Sequence, residues 1–194
     1  MMPEVVLWDF GDTLADERWM RRAPDDCPAW PDAWLAVMAE LADGWNVGTV
    51  SADDIHDALA RRLGRSTDEV AGHARECCRR IRFFDTAWRI ARERRRPQAL
   101  VTVNPDIFER WIVDEYGLRE VFDAIVVSAR EGTADKPALC DAALARLGFT
   151  GERSQALLID NRSDLVEAWR ACGGQAYWFQ GDERFAVDVA GLLP

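Results

Sequence analysis

The pattern of apolar and polar positions divides the chain into segments of two kinds. Some are short apolar runs rich in β-branched residues, which predict buried strands. These runs lie at residues 4–8, 98–103, 124–128, 155–160 and 175–179. Apolar residues that recur every three or four positions predict helices at 84–95, 137–147, 163–172 and 182–193, and one that Asn104 caps and Pro105 opens. Because strands that alternate with helices form parallel sheets, we expect an α/β fold with a Rossmann-like doubly wound parallel sheet.

The stretch from about residue 16 to residue 82 departs from this alternation, because it carries helix signals and no strand signal. Apolar residues at helical spacing occur at Ala33, Trp34, Val37, Met38 and Leu41. Further on, Ser51 with Asp54 and Ser66 with Glu69 have the spacing of capping boxes, which begin helices. We therefore expect residues 1–15 and 83–194 to form the Rossmann-like core. Residues 16–82 are expected to form an inserted, all-helical cap domain.

Composition narrows the class of protein. The 194 residues are 48% hydrophobic and 30% charged, which is typical of a folded globular chain. The formal net charge of −10 argues against a general nucleic-acid-binding protein, which would need a basic face. Five cysteines occur without a C-x-x-C pair, so neither a disulfide framework nor a zinc site is expected.

The distribution of apolar residues gives no sign of export or of a membrane span. The first residues lack a basic segment followed by a long apolar run, and no stretch approaches the ~20 apolar residues of a membrane helix. We therefore expect a cytoplasmic protein that acts on a small molecule, without nucleic-acid or membrane partners. The oligomeric state stays open.

Polar residues follow the ends of successive predicted strands. Asp9 follows the first strand, Thr102 lies near the end of the second, Lys136 lies in the loop after the third, and Asp160 ends the fourth. Each of them alone has an ordinary explanation as a turn former, a helix cap or a solvated loop residue. Ligands bind at the carboxyl ends of the strands in doubly wound sheets, so the four together predict a site.

This order of residues resembles the four motifs of the haloacid-dehalogenase-like (HAD) superfamily of hydrolases, in the class that has a helical cap. Those motifs are an Asp-x-Asp-x-Thr segment, a Ser or Thr at the second strand end, a Lys, and an acidic pair after a later strand. The matching residues are Asp9 and Thr13, Thr102, Lys136, and Asp160 with Asp164. The resemblance covers nearly the whole chain.

The resemblance implies a role for each matching side chain. Asp9 would attack the substrate and form a covalent aspartyl intermediate. Lys136 would keep Asp9 ionised and offset the charge of the transferred group. Thr102 would bind a substrate oxygen, and Thr13 would support the turn or hydrogen-bond Asp9.

The resemblance also implies a cofactor and further substrate contacts. Mg²⁺ would lie among oxygen ligands from the first and fourth motifs. The candidate metal ligands are Asp9, the backbone carbonyl of Gly11, Asp160, Asn161 and Asp164. Other candidate substrate-binding residues are Asn104 in the second motif and Arg21 and Arg22 in the cap. Trp19, Trp30 and Trp34 are candidates to line the cap, although a small cap core with solvated arginines is the more ordinary explanation for each of these cap residues.

Two positions differ from the phosphatase pattern. Gly11 stands where most HAD phosphatases carry the Asp that acts as general acid and base, and Asp12 is one residue too far along to be assumed its replacement. Asn161 stands where a metal-binding Asp is usual, so Mg²⁺ affinity should fall. We still expect a Mg²⁺-dependent phosphatase acting on a small phosphorylated metabolite.

Two alternatives remain open. L-2-haloacid dehalogenases lack the second Asp, need no metal, and carry an Asn with an Asp three residues later, as in Asn161 and Asp164. Against that class, Gly11 is not aromatic, Ala142 stands where a Tyr is usual, and Val103 is one residue too many in the second motif. The other alternative is a HAD-fold binding protein that has lost catalysis.

Overall fold

The computed structural model describes residues 2–16 and 21–193. Its strands are β1 (Val5–Trp8), β2 (Gln98–Thr102), β3 (Ala124–Val127), β4 (Ala156–Asp160) and β5 (Gln175–Trp178). They form one sheet in the order β3-β2-β1-β4-β5, in which every neighbouring pair is parallel. The predicted strands and the α/β class are confirmed, and each strand ends within one residue of its predicted bound.

Strand β1 lies at the centre of the sheet because all of its side chains are apolar and buried. Val6 and Trp8 pack into one hydrophobic cluster, and Val5 and Leu7 pack into another on the opposite face. A strand that is covered on both faces must be apolar throughout, which is why its run of residues is continuous rather than alternating. The central position brings the residue that follows β1 between the ends of β2 and β4.

Helices cover both faces of this sheet. The longer ones are α1 (Trp30–Asn46), α2 (Ala52–Leu63), α3 (Thr67–Cys78), α4 (Asp85–Glu93), α8 (Lys136–Arg146), α9 (Ser163–Ala171) and α10 (Asp182–Leu192). Short helices α5 (Val113–Glu115), α6 (Leu118–Val121) and α7 (Ser128–Glu131) lie between α4 and α8. Among the described residues, no helix has both the length and the apolar character needed to cross a membrane.

Helices α1, α2 and α3 follow one another between β1 and α4, and the described residues 21–82 contain no strand. Both predicted capping boxes are present, with Ser51 and Asp54 beginning α2 and Ser66 and Glu69 beginning α3. The all-helical character of this stretch is therefore confirmed. Its limits at residues 16 and 82 stay a prediction. The backbone amide of Asp16 donates to the Arg82 carbonyl, so the two predicted ends of this stretch lie next to each other.

The predicted start of the helix that follows β2 was wrong. Asn104 and Pro105 lie in irregular chain, and a π-helical turn at Phe108–Ile112 leads into α5. The side-chain amide of Asn104 donates to Thr102 Oγ1 at 2.7 Å, and Asn104 lies outside any helix. Helix α1 also differs, because it extends beyond the predicted residues 32–42 at both ends.

Candidate active site

Lys136 is the only lysine in the chain, and it is buried beneath the carboxyl ends of the strands. It begins α8, where the fixed backbone of Pro137 favours the first helical turn. Its Nζ atom lies 2.8 Å from Asp9 Oδ1, 2.8 Å from Asp160 Oδ2 and 2.7 Å from the carbonyl oxygen of Val101. The ammonium group therefore donates hydrogen bonds to Asp9 and to the Val101 carbonyl and forms a buried ion pair with Asp160.

Two contacts on opposite oxygens orient the Asp9 carboxylate. Lys136 binds Oδ1, and the Thr13 hydroxyl lies 3.3 Å from Oδ2. Thr13 is held in turn by the backbone amide of Asn161, which donates to its Oγ1 at 3.0 Å. The ammonium at 2.8 Å favours the ionised form of Asp9, which a nucleophilic carboxylate requires.

The end of β2 carries Thr102 and Asn104, both buried and both on the wall of the same cavity as Asp9. They are joined by the hydrogen bond from the Asn104 amide to Thr102 Oγ1. Since Oγ1 already accepts this bond, the Thr102 hydroxyl hydrogen can point to a substrate oxygen. The side chains of the first, second and third motifs thus come together as the sequence predicted.

The two adjacent residues of the fourth motif, Asp160 and Asn161, make different contacts. The Asp160 carboxylate is fully buried, with Oδ2 against Lys136 and Oδ1 accepting the backbone amide of Arg162 at 2.8 Å. Asn161 turns its side-chain oxygen to within 3.5 Å of Thr13 Oγ1, on the Asp9 side of the site. Asp160 therefore contacts Lys136, whereas Asn161 contacts Thr13, which in turn contacts Asp9.

Asp164 is not brought into this cluster. Its carboxylate is exposed and forms a two-point ion pair with the guanidinium of Arg162, with Nε 3.1 Å from Oδ1 and Nη2 2.5 Å from Oδ2. Asp12 also lies outside the cavity wall, and its backbone is left-handed, with φ of 50°. Gly11 lines the cavity, so the position of the missing acid faces the site.

The cavity above Asp9 measures about 430 Å³ and has two different sides. Lys136 lies buried beneath its floor. The floor includes Asp9, Gly11, Thr102, Asn104, Asp160, Asn161 and Arg162. Its opposite wall is one face of α1, formed by Trp34, Leu35, Met38, Ala42 and Trp45. Such a volume lies within the range of small-molecule sites.

The cap candidates separate in the structure. Arg21 and Trp34 line the cavity, whereas Arg22 and Trp30 do not. Trp30 is buried within the helical region, and the Arg22 carbonyl accepts a hydrogen bond from His73 at 2.7 Å. Trp19 falls outside the described residues.

Sequence reasoning missed the contacts that fasten the loop after β2 to the helical region. Asp106 accepts the indole N–H of Trp45 at 2.8 Å and the backbone amide of Ala52 at 3.1 Å. The Ser128 hydroxyl donates to the Asn46 carbonyl at 2.6 Å and accepts a hydrogen bond from the backbone N–H of Asn104 at 2.9 Å. These contacts fix the cavity wall relative to Thr102 and Asn104. No spacing along the chain pairs such distant residues, so no sequence signal could have found them.

The oxygen atoms near Asp9 fit a magnesium ion with a reduced set of ligands. Asp9, Gly11 and Asn161 line the same cavity, and Asp9, the Gly11 carbonyl and the Asn161 side-chain oxygen would give a cation a set of ligands with a single negative charge. Among the described residues, no cluster of three or more His, Cys, Asp and Glu side chains could hold a metal. Mg²⁺ keeps several waters and binds through one or two carboxylates, so the set suits weak binding.

Comparisons with known proteins give a consistent fold. No protein-family model and no curated protein matches the chain by sequence. The chain is similar to a solved HAD family enzyme from Bacteroides thetaiotaomicron, with a TM-score of 0.75, 12% identity, and coverage of 96% of this chain and 98% of that one. The same enzyme in complex with magnesium and inorganic phosphate gives a TM-score of 0.70 at 12% identity, with 92% and 95% covered.

A second similar structure is that of a dehalogenase. It is the L-2-haloacid dehalogenase of Xanthobacter autotrophicus with chloropropionic acid covalently bound. It matches with a TM-score of 0.66 and 16% identity, over 100% of this chain and 85% of that one. With sheet order, helical insertion and near-complete coverage in agreement, the chain has the fold of the haloacid-dehalogenase-like hydrolases, a parallel α/β core with a helical cap.

Proposed function

We propose that this protein is a hydrolase that uses Asp9 as its nucleophile, and that its first candidate substrate class is a small phosphate monoester. One observation carries the proposal: the buried Lys136 ammonium contacts both Asp9 and Asp160 at the base of an open cavity. A buried lysine between two carboxylates is costly to desolvate, so its presence at a cavity indicates chemistry rather than packing. The structures of similar fold support a hydrolase.

The reaction follows from the side chains that line the floor of the cavity. A carboxylate oxygen of Asp9 attacks the phosphorus atom, the bond from phosphorus to the ester oxygen breaks, and an acyl phosphate forms on Asp9. Lys136 offsets charge during this step, and Thr102 donates to a phosphoryl oxygen. Water then attacks the phosphorus, releasing inorganic phosphate and restoring the Asp9 carboxylate.

The charge of the site limits what it can bind. Asp9 and Asp160 carry two negative charges against one positive charge on Lys136, so an anionic substrate needs further cationic charge nearby. Arg21 lines the cavity and supplies part of it, whereas the charge of Arg162 is offset by Asp164. A magnesium ion held by Asp9, the Gly11 carbonyl and Asn161 would supply the rest by neutralising phosphoryl charge.

The absence of a side chain at Gly11 affects the leaving group. No carboxyl group from that position can protonate the departing alkoxide, so the proton comes from water. We therefore expect slow turnover of alkyl phosphates and faster turnover of aryl phosphates, whose leaving groups need less protonation. The steepness of this dependence is a direct measure of the missing acid.

A second candidate is hydrolysis of 2-haloacids through the same nucleophile. It is favoured by one specific observation: Gly11 and Asn161 remove the groups that a phosphatase needs for proton transfer and tight metal binding. A halide leaves without a proton, and a monoanionic substrate requires less cationic charge than a phosphate ester. In that reaction Asp9 attacks carbon, the halide departs, and water cleaves the resulting ester.

One experiment separates these candidates. A panel of phosphate monoesters and 2-haloacids is assayed with added Mg²⁺ and with EDTA. Phosphate release that requires Mg²⁺ supports the phosphatase, and halide release unaffected by EDTA supports the dehalogenase. If a purified, folded protein turns over neither class, the proposal of a hydrolase is wrong and a binding role takes its place.

A further inference from the structure

Helix α1 has two apolar faces, and only the first is buried at every apolar position, because the second leaves Leu35 exposed. Trp30, Ala33 and Val37 form the first face, which is buried in the helical region, with Trp30 edge-on to His73 of α3 at 4.6 Å. Surface helices of globular proteins usually need a single apolar stripe of this kind. The second face therefore requires another explanation.

The second face is the cavity wall formed by Trp34, Leu35, Met38, Ala42 and Trp45. These residues recur at three- and four-residue steps, so they lie along one side of the helix. Leu35 is 66% exposed, although a leucine gains about 1.5–3 kcal/mol when it is fully buried. An apolar surface beside a reactive cluster is stabilised when an apolar ligand covers it.

The polar groups on this side of the cavity are few. Among the described residues, the helical region contributes three polar groups to the lining, the side chains of Arg21 and Asn46 and the indole N–H of Trp34. The indole N–H of Trp45 is already donated to Asp106, so it is not available to a ligand. A hydroxyl group buried against the apolar part of this wall, away from these three groups, would lose its hydrogen bonds to water without replacement, which is unfavourable.

We propose that the substrate carries an apolar or aromatic body attached to its anionic reactive group, and that polyhydroxylated substrates such as sugar phosphates are selected against. The anionic group binds at Asp9, Thr102 and Lys136, and the body lies along the α1 wall. This inference rests on the proposed function for the reacting group, but the preference for an apolar body applies equally to a phosphate ester and to a 2-haloacid.

The test is a homologous series. Methyl, ethyl, propyl and butyl phosphates are compared for kcat/KM, with glycerol phosphate as a polar counterpart of similar length. Each methylene that enters the wall should raise kcat/KM by about fourfold until the cavity is filled. Butyl phosphate should exceed glycerol phosphate by more than tenfold. A flat series, or a preference for glycerol phosphate, would overturn the inference.

Variants of α1 show whether this wall is responsible. Leu35→Gln and Met38→Gln each replace an apolar side chain of the wall with a polar amide, and both should flatten the dependence of kcat/KM on chain length. Ala39→Gln is the matched control, because Ala39 is exposed on α1 and does not line the cavity. An unchanged slope in both wall variants would contradict the assignment.

A parallel series keeps this inference separate from the choice of reaction. If no phosphate ester reacts, 2-bromopropanoate to 2-bromohexanoate are compared in the same way. A positive slope in that series supports the apolar wall although the phosphatase proposal fails. If phosphates react without any dependence on chain length, the phosphatase proposal stands and the inference about the wall fails.

Discussion

Lys136 Nζ lies 2.8 Å from Asp9 Oδ1, and the two residues are 127 positions apart in the chain. Burial alone would lower the pKa of Lys136, but the charges of Asp9 and Asp160 outweigh it and raise that pKa above its ordinary value. The ammonium is therefore expected to stay charged throughout the range in which enzymes are assayed. Lys136 then acts as a fixed positive charge and not as a proton donor.

Because Lys136 is the only lysine, lysine labelled with ¹³C at Cε gives a single side-chain resonance that reports its protonation. We predict that this resonance keeps the position of a charged lysine when the pH is raised past the ordinary lysine pKa. In Asp9→Asn, which removes one of the two carboxylates, the titration should move to lower pH. A wild-type resonance that titrates below the ordinary value would contradict the ion cluster.

The second prediction concerns magnesium. Asn161→Asp adds a charged oxygen beside Asp9, so Mg²⁺ should bind roughly an order of magnitude more tightly, since the number of charged ligands sets the affinity of oxygen sites. Calorimetric titration with Mg²⁺ alone measures this change without any assay of activity. Asp164→Asn is the control, because its carboxylate is paired with Arg162 outside the cluster. If Asp164→Asn instead weakened Mg²⁺ binding by about an order of magnitude, Asp164 would be a metal ligand and this assignment would be wrong.

The third prediction concerns the missing acid. Gly11→Asp places a carboxyl group on the cavity wall, and general acid–base assistance is typically worth about 10²–10⁴-fold. Phosphatase turnover of alkyl esters should rise, while aryl esters gain less. Circular dichroism and a melting curve establish that the variant is folded. Asp12→Asn should leave turnover unchanged, because Asp12 lies outside the cavity wall and Asn tolerates its left-handed backbone.

The fourth prediction concerns stability and pH. His56 on α2 is buried and stacked on Trp111 at 5.8 Å, and neither ring nitrogen has a hydrogen-bond partner among the described residues. Burial, assisted by Arg110, lowers the pKa of His56 despite the opposing effects of Asp53, Asp106 and Asp57. The unfolded chain then binds the proton more readily than the folded one. The resulting stability is complete above the ordinary histidine pKa and is lost as the pH falls below it.

Urea denaturation from neutral to mildly acidic pH measures this loss. The variant His56→Leu should lose much of the pH dependence of its unfolding free energy over that range. The other histidine, His73, is not buried, so His73→Gln should retain the wild-type dependence. Identical pH profiles for wild type and His56→Leu would show that His56 does not contribute.

The sequence allowed the sheet and most of the cluster to be predicted for a physical reason. Strands buried on both faces are continuous apolar runs, and parallel strands bring their carboxyl ends to one edge. Asp9, Thr102 and Lys136 therefore come together once the strands are located. Asp160 was predicted to bind a metal with them, but in the structure its buried carboxylate holds Lys136.

Other features depend on pairings that spacing does not encode. The ion pair between Arg162 and Asp164 turns Asp164 away from the site, and nothing in the order of residues distinguishes this from a metal ligand. Asn104 was predicted to cap a helix, but it lies in irregular chain, where its side-chain amide donates to Thr102 Oγ1. The apolar residues of α1 were predicted as one helical pattern, and only the structure showed that some of them line a cavity.

The central claim is that hydrolysis proceeds through a covalent bond to Asp9. The most direct measurement is mass spectrometry of the protein quenched in acid during turnover of a reactive aryl phosphate, followed by peptide mapping. We predict a phosphoryl group on the peptide that contains Asp9, and neither this modification nor turnover in Asp9→Asn. A phosphoryl group on a different residue, or turnover by Asp9→Asn at the wild-type rate, would contradict the account.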